Sequence, residues 1–170
     1  SYAVKSTCYE VYSSPDLVNW TNEGIALEGA WGLNKGYWAP DVKEIDGKFY
    51  MLATVDNHLG FAVADSPLGP FVPEESWLFE DSIDGNIFID DDGQMYIYYV
   101  SSRTGHTYGI YGAKMMDEHV TPDMSTETLL IVSNVEWEYI GGMVAETPYM
   151  IKHNGTYYLT YSGSSYTSKH

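Results

Sequence analysis

Cysteine is almost absent from this 170-residue chain. Cys8 stands alone, so no disulfide can form within it, and neither a CxxC nor an HExxH spacing proposes a zinc site. Basic residues are scarce too. Eight Lys and Arg stand against 24 Asp and Glu, a formal charge of −16 that repels nucleic acid and anionic membrane surfaces, so the expected partner is a neutral molecule. The acids are scattered through turns and strand ends and form no tail, which is the pattern of a solvated surface. No apolar run is long enough to span a bilayer, and no secretory leader opens at Ser1. His58, His106, His119, His153 and His170 are dispersed, which suits loops and surface better than a metal centre, so no cofactor is expected within this segment. Helical periodicity is missing as well.

What the chain has is aromatic strand. Sixteen Tyr and five Trp accompany short apolar runs, Phe49 to Ala53, Phe61 to Ala64, Ile87 to Ile89, Met95 to Val100 and Tyr157 to Tyr161, separated by turn residues. Asp46-Gly47, Asp92-Gly93 and Asn154-Gly155 are dipeptides that tolerate the positive φ of tight hairpins, and they predict three hairpins of one type. Aligned on those turns, Val42 to Leu52, Ile87 to Tyr98 and Tyr149 to Thr160 repeat one plan. The turn glycines recur after 46 and then 62 residues. A second echo pairs Val11-Tyr12-Ser13-Ser14-Pro15 with Val63-Ala64-Asp65-Ser66-Pro67. Such a period suits four-stranded propeller blades, each unable to bury its faces alone. The expected fold is all-β. Residues 1–30 would end one blade, 31–80 and 81–135 would be whole blades, and 136–170 would begin a fourth. An open ring leaves unpaired strand edges, so the remainder of a longer domain or a second chain is expected to complete it.

Asp84 and Glu146 each stand nine residues ahead of a turn glycine, Gly93 and Gly155, and Trp38 stands nine ahead of Gly47. The shared offset predicts equivalent places in repeated units, with all three side chains facing one central pocket. A pair of acids so placed could cleave a glycosidic bond.

Three ordered motifs, Tyr37-Trp38-Ala39-Pro40-Asp41-Val42, the run Ile83 to Gly93 and Ala145-Glu146-Thr147-Pro148-Tyr149, resemble those of the family 43 glycoside hydrolases, as does Val11 to Trp20. The resemblance covers essentially the whole chain. It implies a five-bladed β-propeller, of which about three blades are present, and inverting hydrolysis of α-L-arabinofuranosyl or β-D-xylosyl linkages in plant-type polysaccharides or oligosaccharides. Glu146 then matches the general acid, and Asp84 the carboxylate that tunes its pKa and orients it. Trp38 matches a hydrophobic platform for a sugar ring, against the alternative of a plain core tryptophan. Asp41 reads as a structural neighbour that ties its strand to backbone amides. The family's general base is an Asp upstream of this segment, so no residue here matches it and the segment alone is expected to be inactive. Its last blade, with an axial histidine that often holds a metal ion (Ca2+ or Na+), is also unmatched. Thr147 replaces the glycine that commonly follows the acid. A non-catalytic carbohydrate-binding propeller is the alternative reading. For Asp90-Asp91-Asp92, which lacks the alternating spacing of a calcium loop, a solvated hairpin turn is expected.

Overall fold

The computed structural model describes residues 6–165, so His170 lies outside the described residues. The chain is all-β, with two short 3-10 turns at Ala30–Gly32 and Glu136–Tyr139. Strands β1 (Cys8–Ser13) and β2 (Thr21–Glu28) form one antiparallel pair. Next come two four-stranded antiparallel meanders: β3 (Tyr37–Ile45), β4 (Lys48–Val55), β5 (His58–Ala64) and β6 (Val72–Pro73), then β7 (Ser82–Ile89), β8 (Met95–Ser101), β9 (Gly109–Met115) and β10 (Pro122–Ile131). A last pair joins β11 (Ala145–His153) to β12 (Thr156–Gly163).

The sheets stack face to face, and the period of two along each strand decides which neighbour a side chain meets. On β4, Met51, Ala53 and Val55 point to the layer shared with β1 and β2, where Tyr9, Leu27 and Phe71 are buried. Leu52 between them points the other way, to a layer with Phe61, Ile87, Ile97 and Tyr99. Because both faces of this central strand are covered, Met51 to Val55 is apolar almost without interruption. A third, smaller layer joins Val100 and Ile110 to Ala145, with Ile83 and Tyr161 beside them.

The three hairpins are not of one type. Ile45 pairs with Lys48 and His153 with Thr156, which leaves the two-residue turns Asp46-Gly47 and Asn154-Gly155 with positive φ at both positions. Ile89 instead pairs with Met95 across a five-residue loop, in which Gly93 alone has positive φ and its N–H bonds to Asp90 O at 2.9 Å. Two of the three consecutive aspartates favour the wider loop by capping its own backbone: Asp90 Oδ1 accepts from Asp91 N and Asp92 Oδ1 from Gln94 N.

Nor is that aspartate run simply solvated. Asp91 is exposed, but Asp90 accepts hydrogen bonds from Lys152 Nζ and from the Tyr157 hydroxyl, and so clamps the loop of one sheet to the next. These bonds hold the Asp90 carboxyl down at about 2. A depressed carboxyl contributes stability above the ordinary aspartate range of about 4. That contribution drains away as pH falls through about 2. Asp90→Asn is therefore expected to be less stable than wild type at pH 7 by denaturant unfolding, with the gap narrowing as pH drops toward 2; a gap that stays constant with pH would show the clamp to be non-electrostatic.

Candidate active site

Each innermost strand carries the same irregularity near its start. On β3, Trp38 pairs with Thr54 and Asp41 with Leu52, so Ala39 and Pro40 oppose one residue. On β7, Ile83 pairs with Val100 and Asn86 with Tyr98, and on β11, Glu146 pairs with Ser162 and Tyr149 with Thr160. These are β-bulges, which bend a strand and re-aim its side chains. The first bulged residue has positive φ in all three: Ala39 (40°), Asp84 (55°) and Thr147 (55°). The second is Pro40, Gly85 or Pro148. Proline suits a position that makes no ladder bond. Glycine is required in the middle sheet, where a Cβ at Gly85 would stand 2.5 Å from Leu52 Cδ2.

Counted from these bulges, Asp84 is equivalent to Thr147 and Ala39, while Glu146 is equivalent to Trp38 and Ile83. The common offset of nine residues from a turn glycine does not mark equivalent places for the two acids, because the hairpin loop after β7 is longer. The acids are offset by one residue along adjacent strands.

That offset brings the two acidic segments into contact. Asp84 Oδ2 accepts from Thr147 N at 3.2 Å and from Thr147 Oγ1 at 3.3 Å. Thr147 thus occupies a backbone conformation that would suit glycine, and its hydroxyl gains a bond to Asp84 there. The N–H of Asp84 is satisfied by Thr54 Oγ1 at 3.1 Å. Burial, and then the negative charge of Glu146, push the Asp84 carboxyl above the usual aspartate range, with the Thr147 bonds partly opposing them.

Glu146 is half-buried and accepts a hydrogen bond on Oε1 from the hydroxyl of Tyr108, which precedes β9. Burial and that bond push the Tyr108 phenol well above its ordinary value, so it stays a donor at neutral pH. Nothing in the sequence singles Tyr108 out among sixteen tyrosines, since its place depends on how the β8–β9 loop folds back.

A cavity of about 310 Å³ lies among the three bulges, lined by residues 39–41, 84–86 and 147–149. On its wall Asp41 Oδ2 accepts from Asn86 Nδ2 at 2.9 Å and from Ile87 N at 2.7 Å, and Asn86 Oδ1 accepts from Met150 N at 2.9 Å. One side chain from each of two strands thus links three innermost strands. Lys43, 3.2 Å from Asp41, also lies 5.8 Å from the centre of the Tyr149 ring. Of the three side chains expected to face one pocket, Asp84 lines this cavity, while Trp38 and Glu146 do not. Trp38 is 41% exposed, and its ring packs over Gly36, where a Cβ would stand 3.2 Å from Cζ2.

The model of the glycosyl hydrolases family 43 matches residues 1–170. The chain belongs to that family. Among relatives of family 43, a β-xylosidase of Xylanibacter ruminicola is 34% identical over 62% of this chain and 35% of its own length. An arabinoxylan arabinofuranohydrolase of Bacillus subtilis (strain 168) is 32% identical over 89% of this chain and 34% of its own. A solved endo-1,4-β-xylanase from Bacteroides thetaiotaomicron VPI-5482 superposes with a TM-score of 0.86 at 35% identity, covering 99% of this chain and 59% of that one. The chain thus spans only part of the family 43 proteins it matches, and its sheets are blades of a partial propeller.

Proposed function

We propose that this chain is part of an inverting glycosidase acting on α-L-arabinofuranosyl or β-D-xylosyl linkages, with Glu146 as general acid and Asp84 as the carboxylate that tunes and orients it. The observation that carries the reading is the contact between the two acids' segments. Asp84, burdened by the charge of Glu146, grips both the amide and the hydroxyl of the next residue, Thr147. A binding module would need no second carboxylate held against the residue that follows the first.

In the reaction Glu146 gives its proton to the glycosidic oxygen as the bond from that oxygen to the anomeric carbon breaks. A water enters from the opposite face and yields its proton to a base. No residue of this chain matches that base, so the segment alone is expected to be inactive. Trp38, exposed and at the register position equivalent to Glu146, would offer its face to a sugar ring at the rim of the site. The names of the two relatives, a β-xylosidase and an arabinofuranohydrolase, support both sugars. Among the described residues no group of three or more His, Cys, Asp or Glu side chains could hold a metal ion.

The test is to incubate the full-length protein with aryl α-L-arabinofuranosides and β-D-xylosides and follow the first-formed anomer by NMR. Release of sugar of inverted configuration is expected. A retained anomer would overturn the inverting mechanism, and sugar binding without release would make this a carbohydrate-binding propeller.

A further inference from the structure

We propose that Tyr108 is a positioning residue for Glu146, and that the loop 102–108, clamped from β10 by Glu127, is the device that holds it in place. The inference rests on the reading of Glu146 as the acid. A carboxylic acid that donates through one oxygen works best when its rotation is fixed, and the Tyr108 hydroxyl fixes it by donating to Oε1, which leaves Oε2 to carry the proton.

The loop that delivers Tyr108 is tied down more heavily than a connection between two strands requires. Arg103 donates from its backbone N (3.3 Å) and from Nε (3.2 Å) to Ser101 Oγ, and its carbonyl accepts from His106 N at 2.8 Å to close the turn. The guanidinium lies 4.2 Å over the Phe79 ring, the His106 ring is 4.4 Å from that of Tyr111, and the Tyr111 hydroxyl donates to Thr107 O at 3.0 Å. Glu127, reaching in from β10, gathers these ties. It accepts from Arg103 and from the Tyr99 hydroxyl, and its other oxygen lies 3.6 Å from His106 Nε2. The side chains of Arg103 and Glu127 are only 20% and 15% exposed. Ion pairs withdrawn from water in this way often stabilise no better than apolar groups of the same volume. What they do is select one arrangement of the loop, and in that arrangement Tyr108 meets Glu146.

The experiment compares Tyr108→Phe, Glu127→Gln and Glu146→Gln in the full-length protein on two substrates: an arabinoxylan oligosaccharide, whose leaving alkoxide needs a proton, and a 2,4-dinitrophenyl glycoside, whose leaving group does not. For Tyr108→Phe, kcat on the oligosaccharide is expected to fall roughly 10- to 100-fold with KM little changed, and on the activated substrate by no more than about 3-fold, since general acid catalysis contributes about 10²–10⁴-fold in all. Glu127→Gln should show the same dependence on leaving group with a smaller loss, and it reports on the loop even if Tyr108→Phe does not fold. Equal losses on both substrates, or none on either, would overturn the positioning role. Glu146→Gln separates the two readings. If it shows the leaving-group dependence and the other variants do not, the positioning inference alone fails; if it loses equally on both substrates, the acid assignment itself fails.

Discussion

Asp84→Asn is expected to resist unfolding better than the wild type while losing roughly 100-fold or more of its turnover, the scale of a lost acid–base contribution. The stability gain follows from what the carboxylate endures. Burial and the Glu146 charge both penalise its ionised form. An asparagine removes the charge, keeps an oxygen that can accept from Thr147 N and Oγ1, and tolerates the 55° φ of this position better than most residues. The sign of the pH dependence is fixed by the direction of the shift. With the folded-state pKa raised, Asp84 favours the folded state fully below the ordinary aspartate range, and that advantage is lost as pH rises through the raised value. The Tm advantage of Asp84→Asn should therefore be largest near neutrality and vanish in acid. Thermal melts of both proteins across pH, beside kcat on the oligosaccharide, check both halves. A lower Tm at neutral pH would mean that Asp84 is not strained by its surroundings, and unchanged turnover would remove it from the mechanism.

The sheets were legible because strand chemistry is local. Met95 to Val100 and Tyr157 to Tyr161 carry enough β-branched and aromatic residues to be read directly, and Asp46-Gly47 and Asn154-Gly155 form the two-residue turns their composition predicts. The Asp92-Gly93 turn misleads because a glycine with positive φ serves a five-residue loop as well as a two-residue one. The bulges escaped notice for a related reason. Their positive-φ residues are Ala39, Asp84 and Thr147, none of them glycine, so composition does not mark them. The acids themselves could be picked out by motif, but the partners that hold them could not. Tyr108, Arg103 and Glu127 come from a loop and an outer strand, and their meeting depends on tertiary structure that no short spacing encodes. Asp90 is a similar case, since its cation is 62 residues away.

Asn86→Ala should give the largest loss of stability among single polar substitutions at the cavity. Asn86 is 3% exposed, and its amide makes both of its bonds to other strands, donating to Asp41 Oδ2 and accepting from Met150 N. Alanine leaves a main-chain N–H of β11 and part of a carboxylate of β3 without partners. At about 1–3 kcal/mol for each buried group left unsatisfied, the expected cost is roughly 2–4 kcal/mol in denaturant unfolding. Asp41 retains the Ile87 N–H and Lys43, which limits its share. Asn86→Asp separates the hydrogen bonds from the volume. It is nearly isosteric and can still accept from Met150 N, yet it sets a second carboxylate against Asp41 at the position of the lost Nδ2 donor. At neutral pH it should be at least as unstable as Asn86→Ala, and it should recover as falling pH protonates one of the two acids, because a shared proton restores a donor between them. If Asn86→Asp is instead close to wild type at pH 7, the link between β3 and β7 contributes little. The innermost strands would then be held in register by the buried apolar layers alone, and the acids of β7 and β11 would owe their meeting to packing.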